Sequence, residues 1–405
     1  MTNKGLLLGA SVVLPLVLAC VTPEPSLPSP PLSPTRTIST AVPPPKRIKG
    51  EEVSFHFDRG LFRLEGTLTL PERAEGERVP VVVLVHGSGP MSRDGLMPGQ
   101  LGLGFGFEIP VYKQIADALA GRGFAVYRYD KRTCGQFNDC VETGISSIPY
   151  AMLEVEFAAG EYVRDAEAAI DAMARHPALD PKRIVVLGHS EGGQFIPLIL
   201  TERPDVRAGM MLAPPFHTMT IVLRKQAERV RWAFAKAGNP KRAESDGNAL
   251  FMAAEELSHI EKGVHLGDPV LGQPPGLWAS WIELAKQAPE LARSMHRPLL
   301  ILGGKYDYNV EPDEIAGWAD CLSGAPAGLH RVRVLDCVTH ALNCITQPDP
   351  LLIRPEDIGR NVDQAVLDEM TQFLKRVLPQ GESLTIKPPT PEGTGKAPPP
   401  KSGAP

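Results

Sequence analysis

An α/β fold, with a mostly parallel central sheet and helices on both of its faces, is what the sequence predicts. Short, continuously apolar runs recur along the chain, and amphipathic segments of helical period separate most of them. One run, Val185-Val186-Leu187, passes directly into Gly188-His189-Ser190-Glu191-Gly192 and then into a helical pattern. A lone serine between glycines at the end of a buried strand needs a chemical reason.

Residues 53–57 and 62–68 alternate around an Asp58-Arg59-Gly60 turn, which predicts an antiparallel hairpin. The pattern then changes. Residues 81–85, 125–129, 184–187, 210–212, 299–302 and 332–335 fit strands buried on both faces, and residues 111–120, 161–175 and 195–202 between them fit helices. Repetition of strand, helix and strand implies parallel pairing, because each crossover returns the chain to the same edge. The interval 214–297 is too long for a simple connection, and residues 222–236, 249–262 and 277–293 within it have helical patterning. A helical lid over about residues 215–297 is expected. Trp232, Trp278 and Trp281 are its candidates for lining an acyl pocket, with plain core packing as the alternative. The Gly-rich stretch at 102–106 lacks the strand and spacing of a dinucleotide loop and reads as a loop near the mouth of a site.

The 405 residues, 43% of them apolar, allow one large core or two modest ones. A net charge of -5 without a basic stripe gives no reason to expect nucleic acid as a partner. Residues 1–20 differ from the rest: Lys4 precedes an apolar run, and Val17-Leu18-Ala19-Cys20 resembles the cleavage and lipidation site of a bacterial lipoprotein. Pro15 interrupts the run, which falls short of the roughly 20 residues a spanning helix needs. An exported lipoprotein of the cell envelope is therefore expected, held to the membrane only through lipidated Cys20; by the same resemblance, the non-acidic residue after Cys20 favours the outer membrane of a Gram-negative host. Residues 21–48 and 379–405 are rich in proline and polar residues and too poor in apolar ones to fold, so they read as a disordered linker and tail around a domain at 49–378.

A strand, a Gly-X-Ser-X-Gly turn and a helix form a nucleophile elbow, which holds the hydroxyl of Ser190 clear of the sheet; a turn merely capped by Ser190 is the bland alternative. A nucleophilic serine needs an acid and then a histidine, each from the end of a later strand. Of the histidines after Ser190, only His340 follows the last apolar strand, while His217, His259 and His265 fall in the lid region, His296 precedes a strand and His330 lies near the start of the last one. The run 299–304 leads to Asp307, the preferred acid, with Asp313 and Asp336 as rivals. Negative charge developing on the substrate oxygen needs prearranged donors. The N–H of Glu191 is one, and the His86-Gly87-Ser88-Gly89-Pro90 loop supplies the other, from Ser88 in preference, with His86 shaping the loop.

Together, the His86 to Pro90 loop, Asp130-Lys131-Arg132, the His189 to Gly193 elbow and Asp307 with Asn309-Val310 resemble the α/β-hydrolase superfamily over almost the whole folded domain. They are most similar to bacterial serine esterases of the dienelactone-hydrolase and prolyl-oligopeptidase-like branch. Thr133 departs from the glycine that commonly follows Asp-Lys-Arg there. The resemblance implies an α/β-hydrolase fold and the catalytic class of a serine hydrolase, in keeping with a Ser190-Asp307-His340 triad, and it leaves the substrate open.

The chemistry expected is acyl transfer through an acyl-enzyme on Ser190, with a small-molecule ester of short-to-medium acyl chain as substrate. A peptidase or thioesterase of the same fold is the alternative, and a non-catalytic lipoprotein binding module on a degenerate hydrolase fold is the competing class. Retention of nucleophile, base, acid and oxyanion loop in order weighs against the binding module. No His-Glu-X-X-His or paired-cysteine zinc spacing occurs, so no metal and no cofactor are expected. Besides Cys20 there are Cys134, Cys140, Cys321, Cys337 and Cys344, an odd number; Cys134 with Cys140 is a candidate disulfide, and any second pairing stays open.

Overall fold

An eight-stranded sheet organises the chain. In this computed structural model the described residues are 46–60, 62–89, 91–95, 109–134, 150–264, 267–345 and 358–379. The chain divides into two units, Met1–Pro44 and Pro45–Pro405, and only residues of the second are described.

In chain order the elements are β1 (Arg47–Ile48), β2 (Glu51–Arg59), β3 (Phe62–Leu70), β4 (Arg73–Ala74), β5 (Val79–Val85), α1 (Val111–Ala120), β6 (Ala125–Tyr129), α2 (Tyr150–Glu156), α3 (Ala159–Ala174), β7 (Leu179–His189), α4 (Glu191–Glu202) and β8 (Ala208–Leu212). There follow α5 (Met219–Lys236), α6 (Pro240–Glu261), α7 (Pro275–Arg293), β9 (Leu299–Gly304), α8 (Pro312–Cys321), β10 (Arg331–Leu335), β11 (Asn343–Ile345), β12 (Ile358–Val362) and α9 (Gln364–Val377).

The sheet order is β10-β9-β8-β7-β5-β6-β3-β2. All pairings from β10 to β6 are parallel, and the β2/β3 hairpin closes one edge antiparallel. Strand periodicity splits the core in two. Val81, Val83, Ile184, Val186, Leu299 and Ile301 face one apolar layer with α3, α4, α7 and α8. Val82, Leu84, Val185, Leu187, Leu300 and Leu302 face the other, with α1 and α9. The α/β-hydrolase fold with a mostly parallel sheet and helices on both faces is thus the observed one. The expected lid region holds α5, α6 and α7; α6 begins at Pro240, earlier than the apolar periodicity from residue 249 suggests, because Asn239 caps it with a bond from Arg242 N–H at 3.2 Å. Among the described residues no helix is long and apolar enough to cross a membrane.

Register decides where the loops meet. Val85 stands opposite Gly188, His189 opposite Leu212, and Leu212 opposite Leu302. The carboxyl ends of β5, β7, β8 and β9 are therefore level, and the segments leaving them converge on one rim of the sheet.

Candidate active site

Ser190 joins β7 to α4 with φ 54° and ψ -125°, a left-handed conformation that costs a non-glycine residue energy. Its N–H donates to Leu212 O at 2.7 Å and its carbonyl accepts Gly193 N–H at 2.8 Å, so both flanks of the turn are fixed. Close packing demands the two glycines of the motif. A Cβ on Gly188 would sit 2.1 Å from Gly192 O, and one on Gly192 would sit 2.3 Å from His86 O. The Ser190 side chain makes no capping bond to α4. Its hydroxyl lies 3.0 Å from His340 Nε2 instead.

His340 Nδ1 lies 2.8 Å from Asp307 Oδ2. A carboxylate only accepts, so Nδ1 carries the proton and Nε2 is left to accept from Ser190. Asp307 is fully buried, and its Oδ1 accepts the N–H groups of Asn309 at 2.9 Å and Val310 at 2.8 Å. The His340 loop is closed by the Cys337–Cys344 disulfide and by Thr339 N–H donating to Asn343 O at 2.9 Å. The structure thus brings Ser190, His340 and Asp307 together and leaves the rival acids apart. Asp336 is 97% exposed beside Lys305, and Asp313 pairs with Lys225. His217 is turned to the buried Glu314 at 3.0 Å; burial pushes that carboxyl up, but bonds from Lys225 and His217 hold it below its ordinary value. His265 lies outside the described residues.

A second histidine supports the first. His189 Nε2–H donates to His340 O at 2.9 Å, which obliges Nδ1 to accept from the Tyr112 hydroxyl at 3.1 Å. Burial, together with the nearby His340, lowers the His189 pKa to about 3, so it is neutral. Sequence reasoning gave neither His189 nor Tyr112 a role. His189 at least stood inside the elbow motif, whereas Tyr112 read only as part of the apolar face of a helix.

Beside the elbow, Gly87 N–H donates to the Tyr112 oxygen at 3.1 Å and Gly87 O accepts from Lys131 Nζ at 2.7 Å. His86 Nε2–H donates to Tyr129 O, and burial and the Lys131 charge lower its pKa to about 3. Ser88 N–H and Glu191 N–H, the latter at the first position of α4 where no intrahelical acceptor exists, have no acceptor among the described residues. The Asp130-Lys131-Arg132 segment is held by ion pairs on both sides: Asp130 takes Arg93 at 2.6 Å, and Arg132 takes the buried Asp165 at 2.6 Å. Lys131 Nζ lies 3.3 Å from Glu191 Oε2; burial pushes the lysine down and the carboxyl up.

A pocket of about 110 Å³ opens here, lined by Ser88, Lys131, Glu191, Met219, Trp278 and Trp281 among others. Trp232 does not join it: it is half exposed on α5 with Lys236 over its ring, which corrects the acyl-pocket expectation for that residue. Thr133 is buried and reaches the same pocket. Cys134 is disulfide-bonded, with its expected partner Cys140 outside the described residues, and Cys321 is free and buried. Cys337, Cys344 and Asp363 are the one ligand-like group among the described residues, and the disulfide occupies both sulfurs. Cys20 and the loop at 102–106 also lie outside the described residues.

Comparison with known proteins agrees with this architecture. The model of the serine aminopeptidase, S33, family matches residues 103–343. Esterase EstD of Thermotoga maritima is 28% identical over 315 residues, covering 77% of this chain and 65% of that protein, so the chain spans slightly under two thirds of its length. The acylaminoacyl peptidase of Pyrococcus horikoshii, 18% identical, gives a TM-score of 0.50 over 83% of this chain and 43% of that one. A dienelactone hydrolase from Anabaena variabilis, 15% identical, gives 0.46 over 82% and 99%. With the matched segment spanning more than half of its residues, this chain belongs to the serine aminopeptidase S33 family of α/β-hydrolases.

Proposed function

We propose that the protein hydrolyses carboxylic esters of short-to-medium acyl chain through an acyl-enzyme on Ser190. The observation that carries this reading is the continuous line Ser190 Oγ, His340 Nε2, 3.0 Å apart, and His340 Nδ1, Asp307 Oδ2, 2.8 Å apart. His340 takes the Ser190 proton as Oγ attacks the ester carbonyl, and Asp307 stabilises the imidazolium. The unpaired N–H groups of Ser88 and Glu191 receive the oxyanion. Collapse of the tetrahedral intermediate releases the alcohol, which takes the proton from His340. Water, deprotonated by His340, then frees the carboxylic acid and restores Ser190.

Two features favour an ester over an aminoacyl amide. Glu191, the only carboxylate among the described residues lining the pocket, is bonded to Lys131 and so is not free to anchor a substrate ammonium. The pocket of about 110 Å³ is lined largely by apolar side chains, Phe157, Met219, Leu277, Trp278 and Trp281 among them, which suits an acyl chain over a charged aminoacyl group. The likeness to Esterase EstD points the same way. A fluorophosphonate probe should label Ser190, and Ser190→Ala should abolish labelling and turnover in a folded protein. Specificity constants along p-nitrophenyl esters from acetate to palmitate, beside aminoacyl p-nitroanilides, should peak at short chains. Labelling at another serine refutes the nucleophile, and a preference for anilides makes the protein a peptidase.

A further inference from the structure

The Lys131 ammonium reaches both segments that carry the unpaired amides. It donates to Gly87 O at 2.7 Å and to the Glu191 carboxylate at 3.3 Å, and it faces the Tyr162 ring with 4.7 Å to the centroid. The ammonium is thus held between two hydrogen-bond acceptors and an aromatic face. Gly87 is gripped from the other end too, because its N–H donates to the Tyr112 oxygen at 3.1 Å. The loop lies hard against the nucleophile: a Cβ on Gly87 would stand 3.1 Å from Ser190 Cβ.

These contacts fix a peptide plane. Among the described residues every peptide bond is trans, so the N–H of Ser88 points opposite to the carbonyl of Gly87. While Lys131 holds that carbonyl, Ser88 N–H is turned away from the ammonium and has no acceptor among the described residues. A rotation of the plane would present a carbonyl oxygen where the substrate oxyanion must sit. We propose that Lys131, assisted by Tyr112, is the positioning residue of the oxyanion hole, clamping Gly87 so that Ser88 N–H and Glu191 N–H are aimed together. The inference rests on the Ser190 hydrolase reading. It also accounts for a buried lysine two residues past the end of β6, tied to the residue that follows the nucleophile.

The test compares wild type with Lys131→Met/Glu191→Gln, which removes the clamp without stranding a buried carboxylate, and with Tyr112→Phe, which keeps the ring and loses the hydroxyl. Activity is measured with p-nitrophenyl acetate per active site titrated by fluorophosphonate, alongside Tm and the affinity of a trifluoromethyl ketone. An oxyanion interaction exists only in the transition state, so kcat should fall about 10- to 100-fold in the double variant, and less in Tyr112→Phe, with KM within about twofold. Affinity for the ketone, which forms the same oxyanion, should fall in step. A purely structural role would instead lower Tm and the titratable fraction while leaving kcat per site unchanged, and that result overturns the proposal. If the double variant does not fold, Lys131→Met alone carries the same decision, because Tyr112→Phe also takes away the donor to His189 Nδ1 and so disturbs the support of His340. Retained turnover in Ser190→Ala would sink the hydrolase reading; loss there with unchanged clamp variants sinks only the clamp.

Discussion

Replacing Asp307 with asparagine should be far more damaging than loss of one negative charge suggests, because neighbouring amides dictate how the new side chain sits. Asn309 N–H and Val310 N–H both donate to Oδ1, at 2.9 and 2.8 Å. In Asp307→Asn these donors hold the amide oxygen at that position, and the NH2 is left facing His340 Nδ1, where Oδ2 now lies at 2.8 Å. Turning the amide round would leave both N–H groups, that of Val310 buried and that of Asn309 half-buried, without an acceptor, at about 1–3 kcal/mol for the buried one. Even a total of about 2 kcal/mol holds the first orientation by roughly 30 to 1. An NH2 donating to Nδ1 forces the His340 proton onto Nε2, which then cannot accept from Ser190. We expect kcat to fall about 10⁴-fold with KM little changed and the fold intact. Steady-state kinetics and thermal unfolding check this. A variant within about tenfold of wild type, or equal inactivation by Asp336→Asn, would refute the assignment of the acid.

Cys337→Ser/Cys344→Ser opens a bridge of sequence separation 7 around His340, which removes about 2 kcal/mol of loop-closure stabilisation; Tm should drop by several degrees and kcat/KM with it, and no change in either would show the His340 loop needs no bridge. His86 and His189 are each held neutral to a pKa of about 3, whereas an unfolded histidine titrates near 6.5, so the unfolded chain binds more protons as pH falls between those values. Stability should therefore be lost below about pH 6.5 at about 1.4 kcal/mol per pH unit per histidine, and His189→Gln should reduce the slope of stability against pH measured by urea unfolding. Cys20→Ala should prevent membrane attachment in cell fractionation while leaving the purified domain as active as wild type; loss of activity would contradict a linker that separates anchor from catalyst.

Much of this protein was legible in its sequence because the relevant constraints are local. Short continuous Val/Leu/Ile runs alternating with amphipathic segments fit strands covered on both faces, and the glycines at 188 and 192 are forced by contacts within the motif and with the strand beside it. Chain order then ranked His340 and Asp307 above their competitors. What escaped was whatever depends on distance in space. β11 and β12 are short and lack apolar runs, while α9 has helical spacing at Val366, Met370, Phe373 and Val377 but only the structure shows which layer it covers. Lys131 read as part of a family segment and Tyr112 as core, since the sequence carries no signal linking Lys131 to Glu191 across 60 positions or Tyr112 to His189 across 77. Sheet register makes the first pair, by bringing the ends of β6 and β7 level with that of β5, and packing of α1 against the sheet makes the second. Residue types and order therefore determined the fold class and named the reacting groups, while the tertiary structure decided which donors stay free, because a hydrogen bond depends on ångström-scale placement that no sequence spacing encodes.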